Sequence, residues 1–358
     1  MILICAFLHK VKIIFYFNTG HISYYGRLCI CSSPAIIALL REEKNKMVKI
    51  DLITGFLGSG KTTFIKKYAK YLMEQGQNIG ILENDFGAVN VDMMLLQDIA
   101  GENCMLEMVA GGCDKDCHRR RFRTKLIAMG MCGYDRVLIE PSGIFDMDEF
   151  FDALHESPLD RWYEIGNVIT IVDAKLEENL SEEAEFILAS EAANAGIVLL
   201  SKVQEATPEE IENTTAHLNR AMEFVHCDRR FGREIFAKNW DELSDDDFKR
   251  ILSSSYVGTD YEKKDISEED AFQSLYFMNL TLPVNKLKDI VKTLLEDKEC
   301  GHIFRIKGFM QTEPDKWIEL NATHQNITLQ PIEKGQEIFI VIGEKLNKEK
   351  IQKHWDKF

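Results

Sequence analysis

Residues 48–54 alternate apolar and polar side chains and end in the β-branched pair Ile53 and Thr54, the pattern of a strand. From Lys61 the spacing becomes that of a helix running to Gln75, with Gly76 placed to cap it. A second buried strand is expected at 78–82, a compact one at 136–140, and further apolar strands at 167–172 and 196–200. A helix opens at His118 and runs to Met131, and residues 205–255 read as helices around a short strand at 234–236. The charged stretch 258–270 reads as a linker. Behind it, strands are expected at 274–280, 301–307, 316–320 and 337–342, with helices at 284–295 and 348–355. The first part predicts an α/β fold with a doubly wound, mainly parallel sheet over residues 47–255. A linker at 256–270 and a smaller α+β domain at 271–358 follow.

The turn between the first strand and its helix carries chemistry. Gly55, four residues, then Gly60, Lys61 and Thr62 is the P-loop spacing, in the strand–turn–helix context that motif requires. Backbone N–H groups of residues 58–62 would wrap the β-phosphate of a nucleotide at a helix N-terminus, where the dipole favours negative charge. The glycines let that backbone approach without a Cβ in the way. The nucleotide-binding set is Gly55, Gly58, Ser59, Gly60, Lys61, Thr62 and Thr63. Lys61 would bridge the β- and γ-phosphates and the Thr62 hydroxyl would hold Mg²⁺. Glu140, ending a buried strand before Pro141-Ser142-Gly143, would hold the same ion through water, while the Gly143 N–H senses the γ-phosphate.

Acidic residues at the carboxyl end of a strand face the ligand crevice of such a sheet, so Asp85 and Asp92 are either Mg²⁺-side ligands or part of a solvated turn. Gly111-Gly112-Cys113-Asp114-Lys115-Asp116-Cys117-His118, with Cys104 nearby in sequence, suits a borderline metal such as Zn²⁺. The alternative there is a loop with two reduced thiols. The basic run from His118 to Arg123 either meets phosphates or an acidic partner or forms a solvated helix face. Ser201-Lys202-Val203-Gln204 stands where a GTPase places its base-reading Asn-Lys-x-Asp. Lys202 would lie along the base, and Gln204 offers one acceptor and one donor in place of a carboxylate.

A formal net charge of −15 argues against nucleic acid as the main partner. Nine cysteines without disulfide-like regularity fit a reducing cytoplasm. Residues 1–17 are apolar but broken by His9, Lys10 and Lys12, too short and charged to span a bilayer, and no clean signal-peptide cleavage site follows. Met47 directly precedes the first strand, and Arg41 to Lys46 resembles a translated ribosome-binding region. Residues 1–46 are therefore expected to be a non-native extension; a membrane-associating segment is the competing reading.

With these motifs in place, residues 47–358 resemble the CobW-type metallochaperone GTPases, relatives of the urease and hydrogenase nickel-insertion GTPases. The residues that carry the resemblance are the loop at 55–63, Glu83-Asn84-Asp85-Phe86-Gly87, Glu140-Pro141-Ser142-Gly143 and Arg305-Ile306-Lys307-Gly308-Phe309. The family's Gly-Gly-Cys-x-Cys-Cys reads here Gly-Gly-Cys113-x₃-Cys117, with Lys115 and Asp116 at the other two cysteine positions. The resemblance implies GTP (or ATP) and Mg²⁺ as ligands and hydrolysis of the nucleotide; no residue of the sequence is an obvious base for the attacking water, so slow turnover is expected. The resemblance also implies a zinc or other divalent transition metal cargo passed to a client metalloprotein, with Cys113 carried over directly and Cys117 and His118, read from the residues themselves, as the further ligands. A dimer controlled by metal or nucleotide is a further expectation. The rival readings are a nucleotide-dependent switch for a partner enzyme, with incidental cysteines, and a small-molecule kinase.

Overall fold

The structure, a computed structural model, describes residues 47–56, 58–85, 92–110, 115–141, 147–262, 273–278, 280, 282–324, 326–332 and 335–357. The extension expected at 1–46 lies outside them. Strands and helices alternate through the first part: β1 (Val48–Gly55), α1 (Lys61–Glu74), β2 (Ile79–Asp85), α2 (Asp92–Leu96), β3 (Cys104–Ala110), α3 (Lys115–Gly130), β4 (Arg136–Glu140) and α4 (Met147–His155). They continue with β5 (Tyr163–Asp173), α5 (Glu182–Ala193), β6 (Ile197–Ser201), α6 (Pro208–Phe224), β7 (Ile235–Ala237) and α7 (Asp245–Leu252). The seven strands form one parallel sheet in the order β3-β2-β4-β1-β5-β6-β7. The chain builds outward from β1 to one side, returns through β4, then continues on the other side. That reversal opens a crevice at the carboxyl ends of the central strands.

Period-two alternation within each strand explains why helices cover both faces. Val137 and Ile139 of β4 join a core with Phe122, Leu126, Phe150, Leu188 and Leu218 from α3, α4, α5 and α6. Leu138, between them, joins the opposite core with Phe64, Tyr68 and Ile251 from α1 and α7. Strands buried on both faces read as continuous apolar runs. Several helices begin where a side chain satisfies their first N–H groups. Thr207 and Ser244 each form a capping box, with Glu210 and Asp247, and Pro208 sits at the first helical position of α6.

One charged network is enclosed in this domain. Arg136 Nη1 lies 2.5 Å from Asp51, whose carboxylate also accepts the Tyr68 hydroxyl at 2.7 Å and the Asn167 N–H at 2.8 Å. Burial first, and then Asp51, hold the Tyr68 hydroxyl protonated well above its usual range. A Cβ on Gly166 would stand 2.3 Å from Asp51 Oδ1, so only glycine admits the carboxylate there. The network ties β1, β4, β5 and α1 together, and removing one member of such a buried pair typically costs about 3–5 kcal/mol.

The second sheet is antiparallel, in the order β11-β10-β9-β12-β8. Its strands are β8 (Gln273–Met278), β9 (His302–Glu313), β10 (Lys316–Ala322), β11 (Ile327–Ile332) and β12 (Ile338–Glu344). One face packs on α8 (Val284–Glu296) and α9 (Lys348–Trp355) through Leu287, Val291, Leu294 and Trp355. The other carries Phe309, Ile338 and Ile340, against which Leu95 of α2 packs.

Two strands were not expected. β3 and β11 lie at sheet edges, where one side of the strand has no neighbour and polar residues are tolerated. β3 exposes Met105 and Met108, and β11 contains Pro331, which an edge can accept. Residues 256–262 of the expected linker run against the first domain, with Val257 N–H on Asn194 and Glu262 N–H on Val225; residues 263–272 lie outside the described set.

Candidate functional site

β1 and β4 are adjacent and parallel, with Leu52 opposite Ile139, so their carboxyl ends bring the glycine-rich turn and Glu140 together. The turn departs from β1 at Gly55, whose φ of +135° and 2.1 Å separation between an added Cβ and the Ile171 carbonyl both demand glycine. Lys61 is buried in the first turn of α1. Its Nζ donates to the Gly55 carbonyl at 2.7 Å and stands 3.9 Å from Glu140 Oε1. The Thr62 hydroxyl donates to Glu140 Oε2 at 3.4 Å. Ser59 Oγ is buried with no hydrogen-bond partner among the described residues. A buried donor without an acceptor is costly, and a phosphate oxygen is the acceptor this loop is shaped to receive. Thr62 and Glu140 offer two hard oxygens on one side of Lys61, a donor set that fits Mg²⁺ and does not favour a soft metal. Gly143 lies outside the described residues, so its N–H is not placed.

Beneath the loop sits a carboxylate that the sequence concealed. Glu191, in an alanine-rich stretch of α5, is fully enclosed. Its main-chain carbonyl accepts the Thr54 and Thr170 hydroxyls at 3.3 and 2.8 Å. Burial pushes the Glu191 carboxyl up to about 7, a rise opposed by the Lys61 charge and by a hydrogen bond from the Gly55 N–H. Helical periodicity offered no signal for it, since one glutamate among several in a helix reads as solvated.

On the other flank, β5 and β6 end side by side at Asp173 and Ser201. Lys202 follows in a left-handed conformation, φ 54°, and its Nζ pairs with Asp173 Oδ2 at 2.5 Å. Gln204 is exposed in the short turn Val203–Glu205. The loop after β7 contributes Trp240, which sequence reasoning did not single out. An added Cβ on Gly60 would meet its ring at 3.4 Å and Ser201 at 3.7 Å, and the ring also lies edge-on to Phe64.

The cysteine segment falls on the β2–β3 side of the crevice. β2 ends at Asp85 opposite Ala110, directly before the Gly111–Cys113 stretch, which lies outside the described residues, as do the side chain of Asp85 and residues 86–91. Cys117 is half-buried and His118 buried in the first turn of α3. His118 Nε2 already bonds Asn84 Oδ1 at 2.6 Å, so a metal at this ring would take Nδ1 or displace Asn84. Cys104 does not belong here. It starts β3, opposite Ile79, about 20 Å from the end where Ala110 lies, and burial pushes its thiol up to about 11. Among the described residues, one group of three metal-ligating side chains has its ligand atoms within 4.8 Å of one another: Asp297, Cys300 and His354 in the second domain. His354 there bonds Asp297 at 2.7 Å.

The fold and loop define a P-loop nucleotide-binding protein. Residues 49–226 match the CobW/HypB/UreG nucleotide-binding domain, and residues 280–358 match the cobalamin synthesis protein cobW C-terminal domain. The chain belongs to the CobW family that this pair of domains defines. It is 30% identical over 164 residues to the zinc chaperone YeiR of Escherichia coli, covering 46% of this chain and 49% of that one. To the zinc chaperone YjiA of the same organism it is 31% identical over 185 residues, 48% of this chain and 55% of that one. To the zinc-regulated GTPase metalloprotein activator 1 of Schizosaccharomyces pombe it is 24% identical over 163 residues, 43% and 39% of the two chains. The chain thus spans about half the length of the first two relatives. Among the described residues, no helix is long and apolar enough to cross a membrane.

Proposed function

We propose that this protein binds GTP with Mg²⁺ and hydrolyses it to GDP and phosphate, coupling nucleotide state to delivery of zinc, or another divalent transition metal, to a client metalloprotein. The observation that carries the reading is the convergence of Lys61, Thr62 and Glu140 at a loop whose buried Ser59 hydroxyl lacks an acceptor among the described residues. Loop amides and Lys61 hold the phosphates in place, so water attacks the γ-phosphorus in line as its bond to the β-phosphate oxygen breaks. Lys61, released from Gly55, neutralises charge on the transferring group. Thr62 and Glu140 would hold Mg²⁺, whose chemistry is to neutralise the β- and γ-oxygens. No described side chain stands out as a base for the water, which supports slow turnover.

Cargo metal would bind Cys113 and Cys117, with His118 tied through Asn84 to the strand that ends at Asp85. The names of the relatives YeiR and YjiA, both zinc chaperones, favour zinc. A cytoplasmic setting, a nucleotide domain at 47–255 and a client-docking domain behind it complete the reading. The test combines calorimetry of GTP binding, phosphate release and Zn²⁺ uptake on reduced wild type and Lys61→Ala. GTP-dependent Zn²⁺ affinity in wild type, lost together with hydrolysis in Lys61→Ala, supports it. Turnover in Lys61→Ala equal to wild type rules this loop out as the catalytic site, and Zn²⁺ affinity indifferent to GTP leaves a metal-independent switch.

A further inference from the structure

β9 enters the second sheet beside the nucleotide loop. The Phe304 ring stands edge-on to Phe56, centroids 6.1 Å apart. The next residue, Arg305, lies against the loop itself: a Cβ added to Gly58 would be 3.5 Å from its Cδ, 3.9 Å from Nε and 4.0 Å from Nη1. The Arg305 Nε–H is held by Asn321 Oδ1 of the neighbouring strand at 2.9 Å, which fixes the plane of the guanidinium. Its Nη groups have no acceptor among the described residues, and no described carboxylate pairs with it, in a chain with net charge −15. The same sheet face packs Phe309, Ile338 and Ile340 against Leu95 of α2, so the arginine is backed by apolar contact between the two domains.

A half-buried, oriented cation with donors to spare, resting on a glycine of the candidate phosphate loop, is matched to an anion. We propose that Arg305 is a catalytic arginine supplied in cis by the second domain, donating to the oxygens at the β–γ phosphate linkage as charge develops there during hydrolysis. The inference rests on the nucleotide-site reading above and extends it. The second domain then completes the active site, and a client that shifts β9 withdraws the arginine and slows hydrolysis. An arginine in this role acts mainly in the transition state, so ground-state GDP binding changes little when it is lost.

The experiment uses full-length protein with Arg305→Ala and Arg305→Lys. It measures GDP affinity by calorimetry, phosphate release at saturating GTP, and retention of GDP with aluminium fluoride, which mimics the planar phosphoryl group. Expected are a fall in kcat of about 100-fold or more in Arg305→Ala, GDP affinity within about threefold of wild type, and loss of fluoride-dependent retention. Lysine, lacking the planar fork, should restore at most a small part of this. A kcat within twofold of wild type in both variants, or intact fluoride-dependent retention, overturns the proposal. Equal losses of kcat and GDP affinity assign Arg305 to loop packing and overturn it too. Failure of wild type itself to bind GTP in a Lys61-dependent way would instead sink the nucleotide reading and take this one with it.

Discussion

Thr62 and Glu140, 78 positions apart, face each other across the crevice with hydroxyl and carboxylate 3.4 Å apart. The pairing follows from adjacency of β1 and β4, since α1 begins where β1 releases the loop and Glu140 is the last residue of β4. Glu140→Gln keeps the shape and removes the charge that a divalent ion needs. It should retain GTP binding and lose Mg²⁺-dependent turnover by about 100-fold. Phosphate release across a Mg²⁺ titration checks this; an unchanged Mg²⁺ dependence would contradict the role assigned to Glu140.

Base preference should be blunted. A carboxylate at position 204 would accept from both the N1–H and the exocyclic amine of guanine, whereas the Gln204 amide accepts one of them. The missing contact is worth about 1–3 kcal/mol. Gln204→Asp should therefore tighten GTP relative to ATP by at least fivefold, leaving Lys202 on Asp173. If wild type already rejects ATP by orders of magnitude, some other group reads the base.

Glu191 predicts a pH dependence of stability. Its carboxyl titrates near 7 in the folded protein against 4.5 when free, so the native state holds the proton more tightly than the unfolded chain. Stability from this group is highest below the free value, declines as pH rises through the window between the two, and then levels off. The decline amounts to about 3 kcal/mol. Glu191→Gln, which keeps an acceptor for the Gly55 N–H, should melt well above wild type at pH 8 and close to it at pH 5. Melting curves displaced equally at both pH values would sink this account. Lys61→Ala should steepen the wild-type decline, because it removes the cation that favours the ionised form.

Metal binding should release protons and weaken as pH falls, because the ligands are thiolates. Cys113→Ser and Cys117→Ser should each lose most Zn²⁺ affinity in the reduced protein, while Cys300→Ser reports any contribution from the separate Asp297–Cys300–His354 group. If a non-hydrolysable GTP analogue tightens Zn²⁺ binding by some factor, Zn²⁺ must tighten the analogue by the same factor. Identical Zn²⁺ affinity in wild type and both loop variants would end the assignment to Cys113 and Cys117.

Much of this was legible in the chain because it is local. The P-loop is a run of nine residues whose glycines and lysine must be contiguous, and Val137-Leu138-Ile139-Glu140 announces a buried strand ending in an acid. What escaped depends on packing between distant segments. Glu191 becomes special only when α5 packs under Gly55, Trp240 only when the β7 loop meets Gly60, and Arg305 only when β9 crosses the first domain. Cys104 misled for the converse reason. Nine positions from Cys113 in sequence, it is carried to the far end of the sheet by the strand it begins.

The contact between Trp240 and Gly60 also gives the protein an optical reporter of its own. Of four tryptophans, Trp355 is sealed within the second domain, Trp317 lies on β10 and Trp162 precedes β5, so Trp240 is the indole that touches the nucleotide loop. Its buried Nε1–H has no partner among the described residues, which makes its excited state responsive to any charge or water brought close. Intrinsic emission should therefore change when a nucleotide enters. Arrival and departure of the ligand can then be timed by stopped flow on unlabelled protein, with Trp240→Phe silencing the signal.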